Sequence, residues 1–466
     1  MVGAAIFLLG AIPACLGAVL PKNKPDDMHL VGTQKDIIPY LAGAGPYFSY
    51  PVNYGIPIEA PDQCEFRQVQ LIGRHGERYP TTNSGKKLLK LYNTLRKYPN
   101  KFNGSLEFMN DYEFFIRDQN DLQMETTLSN SVNFVNPYTG QADATAHARK
   151  FLVYYNELLN AAEQTAVFAA SSERVHDTAQ YFIEGLGDNY NMTLQTVSEE
   201  PSAGANTISA GNSCPAWDED LYSNITDAYT TKYLEDIAYR LNGENPGLNL
   251  SSSDAYNMFA WCAYELNARG YSEICDVFKK EELIHYSYYN DLTSFYQDGP
   301  GYPMIKAAGS NLFNASVALL QQSESLPQRA YIAFTHDTDI LNYLVTIGLF
   351  DDGKMLSANS TPFREQAFHR SWQVPQGARV YTQKYTCGND SYVRYVVNDA
   401  VIPIETCSSG PGFSCPEKEF YAYATERLQG QNFFQACNTS SVSNVTDLTF
   451  FWDWEEKHYN ATLLKQ

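Results

Sequence analysis

The sequence predicts an α/β fold carrying a mainly helical insertion, and three observations lead there. Strand-like apolar runs at 66–72, 167–170 and 331–335 are each followed by a turn, glycine-containing in the first and serine-containing in the second, and then by residues suited to a helix. The stretch between the second and third units differs, with helical periodicity at 229–241 and 255–268 and turns at 242–247 and 298–301. Two more strand-like segments, 378–385 and 392–397, close the pattern. A chain of 466 residues, 44% hydrophobic, can bury a sizeable core as one large or two associated domains.

In the first unit Phe66-Arg67-Gln68-Val69-Gln70-Leu71-Ile72 reads as a strand, Gly73 and Gly76 permit a tight turn, and Ser84 is placed to cap a helix containing Leu88, Leu89 and Leu95. The turn is Arg74-His75-Gly76-Glu77-Arg78-Tyr79-Pro80, which sets one nucleophilic imidazole between two permanent charges. Guanidinium forks match phosphate oxygens bidentately, and a strand, glycine turn and helix start together make a place where anions bind. Glu77 adds an acid inside the segment, placed to modulate arginine affinity. In the third unit His336-Asp337 follows Tyr331-Ile332-Ala333-Phe334-Thr335 and precedes Ile340, Leu341, Leu344 and Ile347, repeating the setting of His75. A second pair, His176-Asp177, lies within Ser171-Ser172-Glu173-Arg174-Val175-His176-Asp177-Thr178.

The heptapeptide resembles the signature of the histidine acid phosphatases, the branch of the histidine phosphatases that includes secreted yeast acid phosphatases and fungal phytases. Gly43-Ala44-Gly45-Pro46-Tyr47-Phe48, Glu113-Phe114-Phe115-Ile116-Arg117-Asp118 and Phe368-His369-Arg370-Ser371-Trp372 extend the likeness to the yeast enzymes over nearly the whole chain. The resemblance implies an α/β/α sandwich with a helical cap. It divides the chain into a signal peptide at 1–18 and a mature protein at 19–466, with a catalytic core at about 50–187 and 311–466 and the cap at about 188–310.

The same resemblance assigns roles. His75 attacks phosphorus and forms a phosphohistidine; Arg74, Arg78, Arg174 and His336 bind the phosphate; Asp337 protonates the leaving oxygen. His176-Asp177 is then supporting structure. Asp339 is a rival proton donor that spacing alone does not exclude. A carboxyl acid must be protonated when the ester bond breaks, so the expected enzyme is an acid phosphatase, and the stretches resembling the yeast enzymes imply broad specificity. A phytase is the alternative, with Lys86 and Lys87 as candidates for binding additional phosphates; a non-catalytic wall glycoprotein and a mutase are weaker ones. Tyr79 and Trp217 carry no assignment.

No H-E-x-x-H, C-x-x-C, G-x-S-x-G or P-loop motif occurs, and eight histidines fall singly, so neither a metal nor a cofactor is expected. The net charge of −20 argues against nucleic-acid or anionic-membrane partners and leaves small phosphate monoesters as the expected ones. Self-association into a homo-oligomer stays open.

Residues 1–20 carry no charged side chain, with an apolar stretch, Pro13, and small residues at Gly17 and Ala18 where a signal peptidase would cut; an uncleaved membrane anchor is the competing reading. Nine cysteines, of which Cys15 falls in the leader, leave an even eight, consistent with disulfides in an oxidising compartment. The family resemblance pairs Cys64 with Cys387, Cys214 with Cys437, Cys262 with Cys275 and Cys407 with Cys415. Glycosylation sequons stand at Asn103, Asn191, Asn224, Asn249, Asn314, Asn359, Asn389, Asn438, Asn444 and Asn460. These features predict a secreted glycoprotein, outside the cell, in the periplasmic space or in the cell wall.

Overall fold

β1 (Cys64–Arg74) is the strand on which the architecture is hung: its first four residues alternate in burial and the remaining seven are all buried. β-Branched and amide side chains on both faces need cover on both sides, which a sheet receives only inside an α/β sandwich. The computed structural model describes residues 34–465 apart from 53, 133 and 134, so the expected leader at 1–18 lies outside the described residues.

β1 pairs in parallel with β4 (Ala330–Thr335), β4 with β2 (Thr165–Ala170), and β2 with β3 (Met192–Val197). On its other side β1 pairs antiparallel with β5 (Arg379–Cys387), followed by β6 (Asp390–Val397) and β7 (Ala400–Ile402), while β8 (Cys415–Pro416) pairs with β6. The sheet order is β3-β2-β4-β1-β5-β6-β7. Every residue of β2 and β4 is buried, as central parallel strands require.

Alternation along β1 distributes side chains to two helical layers. Gln68 donates to Leu319 O at 2.9 Å and Gln70 to Ser316 O at 3.0 Å, both on α7 (Ile305–Gln321). An added Cβ at Gly73, on the other face, would meet the Phe334 ring at 2.7 Å, and that ring packs on Phe182. Phe182 belongs to α3 (Glu173–Leu186), which lies beside α2 (Gly140–Leu159). α8 (Asp337–Ile347) joins α7 in the opposite layer. The first helix, α1 (Thr82–Arg96), is capped by Thr81, not by Ser84: the Ser84 N–H donates to the Thr81 hydroxyl, which stands one residue before the first helical position.

The helical cap contains α4 (Lys232–Glu244), α5 (Ser252–Arg269) and α6 (Lys280–Gln297). The expected boundary at 188 is corrected, because β3 lies beyond it and pairs with β2 along its whole length. The cap also draws on the chain between β1 and α2, where α1 packs on α5, and the short helix Gly104–Asn110 packs on α4. Trp261 of α5 is fully buried against Tyr112, Phe114 and Phe115 from that earlier segment. No helix among the described residues is long and apolar enough to cross a membrane.

Four disulfides are present: Cys64–Cys387, Cys214–Cys437, Cys262–Cys275 and Cys407–Cys415. Cys64 and Cys387 are register partners of β1 and β5, so this bond closes a loop across 323 residues at the end of the strand pair. All ten sequon asparagines are exposed.

The C-terminal segment runs back along the sheet. Ala461 donates to Thr196 O at 3.0 Å, Leu464 donates to Ser171 O at 2.8 Å, and Glu173 donates to Leu464 O at 3.2 Å. These bonds bracket the turn that carries Arg174. Removing residues 460–466 is expected to leave the circular dichroism spectrum intact while lowering kcat/KM for the activity the sequence leads one to expect about 10- to 100-fold, the cost of a misplaced contact at a reacting group.

Candidate active site

β1, β4 and β2 end at one edge of the sheet because they are parallel and nearly in step: Arg74 is opposite Thr335, and Phe334 is opposite Ala169. The residues that follow each strand therefore emerge side by side, at the carboxyl edge where open α/β sheets build their sites. The structure brings together there Arg74, His75 and Arg78 from β1 and its turn, Arg174 from the first turn of α3, and His336 and Asp337 at the start of α8. The His75 and His336 rings lie 5.9 Å apart between centres. The starts of two helices add partial positive charge.

Close approach explains the glycine at 76. An added Cβ would stand 2.9 Å from Gly140 Cα and press into the Glu125 carboxyl. The Gly76 N–H donates to the Thr178 hydroxyl at 2.8 Å, which in turn bonds Glu125 Oε2 at 2.7 Å, fixing the turn to α3.

His75 is 1% exposed, and its Nδ1 lies 2.8 Å from Gly76 O. A carbonyl only accepts, so Nδ1 carries the hydrogen and the lone pair falls on Nε2. Burial first, then the charges of Arg74, Arg174 and Arg78, holds the imidazole well below the usual histidine range. Both causes favour the uncharged form of the ring.

The arginines are anchored by their outer nitrogens. Arg74 Nη1 donates to Gly43 O and to Val374 O, both at 2.6 Å, and its Nη2 to Asp337 Oδ2 at 3.0 Å. Arg78 Nη1 donates to Tyr79 O at 2.9 Å, and its guanidinium sits 5.6 Å from the Tyr264 ring centre. Arg174 Nη2 lies 3.5 Å from His336 Nδ1. Burial, followed by Arg78, lowers the Arg174 guanidinium to about 10, and burial lowers that of Arg74 to about 10. Both values are far above any acid working range.

Several partners were not legible in the sequence. Glu199, just beyond β3, is 2% exposed; its Oε2 lies 2.9 Å from His336 Nε2, and the Ser172 N–H donates to its other oxygen at 2.5 Å. Burial alone would raise the Glu199 carboxyl, but His336 and the Ser172 N–H outweigh it and bring it to about 2. Arg370 is the second unanticipated group: its Nη2 donates to Asp337 Oδ2 at 2.8 Å. Burial would raise Asp337 as well, yet Arg74 and Arg370 hold it well below the usual carboxylate range. Only contacts between distant segments reveal these pairs, and no local motif marks them.

Other residues singled out in the sequence fall elsewhere. Glu77 does not reach the arginines; its Oε1 accepts from the Tyr47 N–H at 2.7 Å, and burial and Asp143 push its carboxyl well up. His176 and Asp177 stand 3.7 Å apart on the partly exposed side of α3. Tyr79 is buried with its hydroxyl on Asn130 O, and Lys86 and Lys87 are exposed on α1. Asp339 accepts from the Thr335 hydroxyl at 2.7 Å and the Gly211 N–H at 3.1 Å, and burial raises it to about 6. Asp337 and Asp339 share with Arg174, His336, Trp217 and Glu219 the lining of a cavity of about 170 Å³.

Residues 65–398 match the model of the histidine phosphatase superfamily (branch 2). The chain is 60% identical over 448 residues to the constitutive acid phosphatase of Saccharomyces cerevisiae, covering 96% of each chain. It is 57% identical over 462 residues to the repressible acid phosphatase of the same yeast, covering 99% of each. Among solved structures, the phytase from D. castellii superposes with a TM-score of 0.88 at 41% identity, covering 96% of this chain and 97% of that one.

The buried carboxyls make stability depend on pH in two directions. Glu77, Glu125 and Asp339 are raised, chiefly by burial, so the stability they allow is fully present below the unfolded carboxyl range and is lost as pH rises through their folded values, about 6 for Asp339. Glu199 and Asp337 are depressed, so their contribution is present above that range and lost as pH falls, toward about 2 for Glu199. The thermal midpoint is expected to peak at about pH 4 to 5. Asp339→Asn should flatten the descent toward neutrality, read by calorimetric melts across pH.

Proposed function

Since this chain belongs to the histidine phosphatase superfamily, branch 2, we propose that it is an acid phosphatase that hydrolyses phosphate monoesters through a phosphohistidine on His75. One observation carries the proposal: a buried imidazole whose Nδ1 is tied to Gly76 O, leaving Nε2 as its nucleophilic atom amid the charges of Arg74, Arg78 and Arg174. That arrangement solves the difficulty of acid catalysis by histidine, since an ordinary imidazole would be protonated and inert at the working pH.

Arg74, Arg78 and Arg174 hold the non-bridging oxygens, where charge concentrates in a loose transition state. Glu199 fixes His336 Nε2, so Nδ1 is the ring atom turned to the arginine side and to the phosphate. Asp337 supplies the proton to the leaving oxygen. Before substrate binds it is a carboxylate between two cations; a phosphate dianion drawn against the same cations neutralises them and lets the carboxyl take up its proton. Asp339 is the weaker candidate for this step, because both of its oxygens already accept from Thr335 and Gly211.

The close relatives named acid phosphatases support broad specificity, as does a small cavity lined by Trp217 and Glu219 with no lysine. The likeness to the D. castellii phytase keeps inositol hexakisphosphate as the second reading. Disulfides and ten exposed sequons support work outside the cell, in the periplasmic space or wall, after removal of the leader.

Acid-quench trapping with labelled substrate is expected to leave acid-labile phosphate on the wild type and none on His75→Ala; undiminished turnover by a folded His75→Ala protein would refute the proposal. Asp337→Asn should lower kcat on alkyl phosphates about 10²- to 10⁴-fold, and Asp339→Asn far less. Turnover of a simple aryl phosphate is expected to exceed that of inositol hexakisphosphate.

A further inference from the structure

Asp337 is held by two guanidiniums on one oxygen. Its Oδ2 accepts from Arg74 Nη2 at 3.0 Å and from Arg370 Nη2 at 2.8 Å, and its Oδ1 makes no hydrogen bond among the described residues. The two arginines differ in what else they do. Arg74 stands beside the nucleophile and is tied to two carbonyls, whereas Arg370 does not line the cavity shared by Arg174 and His336, and its guanidinium hydrogen-bonds to Asp337.

Arg370 is also built in firmly. Its backbone N–H donates to Asp291 Oδ1 at 2.8 Å, and Asp291 is fully buried, with its other oxygen 3.1 Å from His369 Nδ1. The His369 ring stacks on Trp372 at 3.9 Å. From the far side Gly43 closes on the ion triad: an added Cβ there would lie 3.1 Å from Arg370 Nε, 3.4 Å from Arg74 Nη1 and 3.4 Å from Asp337 Oδ2. Three separated chain segments thus converge on one carboxylate oxygen.

We propose that Arg370 is a positioning residue for phosphoryl transfer: it pins Oδ2 of Asp337 so that Oδ1 is presented to the leaving oxygen, and its charge sets how readily that carboxyl takes up a proton. The inference rests on the phosphohistidine reading above. In the first step the proton on Oδ1 passes to the ester oxygen as its bond to phosphorus breaks and phosphorus bonds to His75 Nε2. In the second, the carboxylate takes a proton from the water whose oxygen displaces His75 from phosphorus; inorganic phosphate then leaves with the His75 ring free, and Asp337 gives up its proton to return to the carboxylate held by the two arginines.

The charged and titratable groups around Asp337 are mixed in sign. Arg74 and His75 face it from the end of β1, Arg370 from the segment after α8, Arg174 from α3 and His336 from the residue before it. Asp298, which follows α6, lies near both Asp337 and Arg370; Asp339 and Glu219 share its cavity. Among them Arg370 is a cation in direct contact with the acid whose removal spares every group assigned to the phosphate.

The test is the pH dependence of kcat on an alkyl and an aryl phosphate. Arg370→Gln removes a cation that favours the carboxylate, so the acid stays protonated to higher pH, and the alkaline limb of kcat should move upward by about one pH unit or more. Arg370→Lys keeps the charge and loses the fork: its limb should coincide with the wild type, and kcat should fall several-fold more on the alkyl ester, whose poorer leaving group needs a well-placed proton. A folded Arg370→Gln enzyme with an unmoved limb overturns the proposal. If circular dichroism shows that the Gln variant does not fold, the Lys variant decides, and an equal loss on both esters overturns it. Phosphate trapping runs in parallel on the wild type: no label on His75 would sink the phosphohistidine reading itself, whereas a labelled enzyme with an unmoved limb would remove Arg370 alone.

Discussion

Fixed positive charge crowded around a buried, uncharged imidazole is the constraint to which the rest of the molecule answers. Arg74, Arg78 and Arg174 repel one another and lose hydration at the carboxyl edge of the sheet, and the lowered guanidinium values of Arg74 and Arg174 record that cost. Two anions, Asp337 and Glu199, are embedded among them, each bound to a residue of the site. In the function proposed above, a phosphate dianion supplies the negative charge that the cluster lacks. The chain's net charge of −20 does not prevent this, because dispersed surface carboxylates are screened beyond about 10 Å while the arginines act at contact distance.

Holding such a cluster requires rigid support, and the fold supplies it from all sides. Parallel pairing of β1, β4 and β2 brings three chain segments to one edge in register. Gly43 and Val374 offer carbonyls to Arg74, Ser172 and Asn212 hold Glu199, and the C-terminal segment brackets the Arg174 turn. Each support orients an outer nitrogen or oxygen, which leaves the inner atoms of the site turned toward substrate. Burial of the carboxyls beneath the turn at 74–80, Glu77 and Glu125, favours their protonated form.

Much of this was legible in the chain, and the failures have specific causes. The strand-length runs at 66–72, 167–170 and 331–335 fall inside β1, β2 and β4; in β2 and β4 central parallel strands buried on both faces leave near-continuous apolar stretches, whereas β1 mixes Val69, Leu71 and Ile72 with Gln68 and Gln70, whose amides bond the helix above. β3 escaped notice, since three of its six residues are only partly buried and its pattern is mixed. The cap was read as one insertion, although the segment after β1 contributes to it through aromatic packing of Tyr112, Phe114 and Phe115 on Trp261. Glu77 drew attention by its place between arginines, but adjacent residues along a turn point in different directions, and its carboxyl faces Tyr47.

The sequence by itself determined the chemistry available: an imidazole between arginines in a glycine turn, a His-Asp pair in a like setting, and cysteines and sequons suited to export. Those are local facts, carried by neighbours along the chain. Tertiary structure alone decided that Glu199 anchors His336 and that Arg370 shares Asp337 with Arg74. Both depend on groups tens to hundreds of residues apart meeting within hydrogen-bond distance, and electrostatic energy depends on separation in space and on burial, not on separation in sequence.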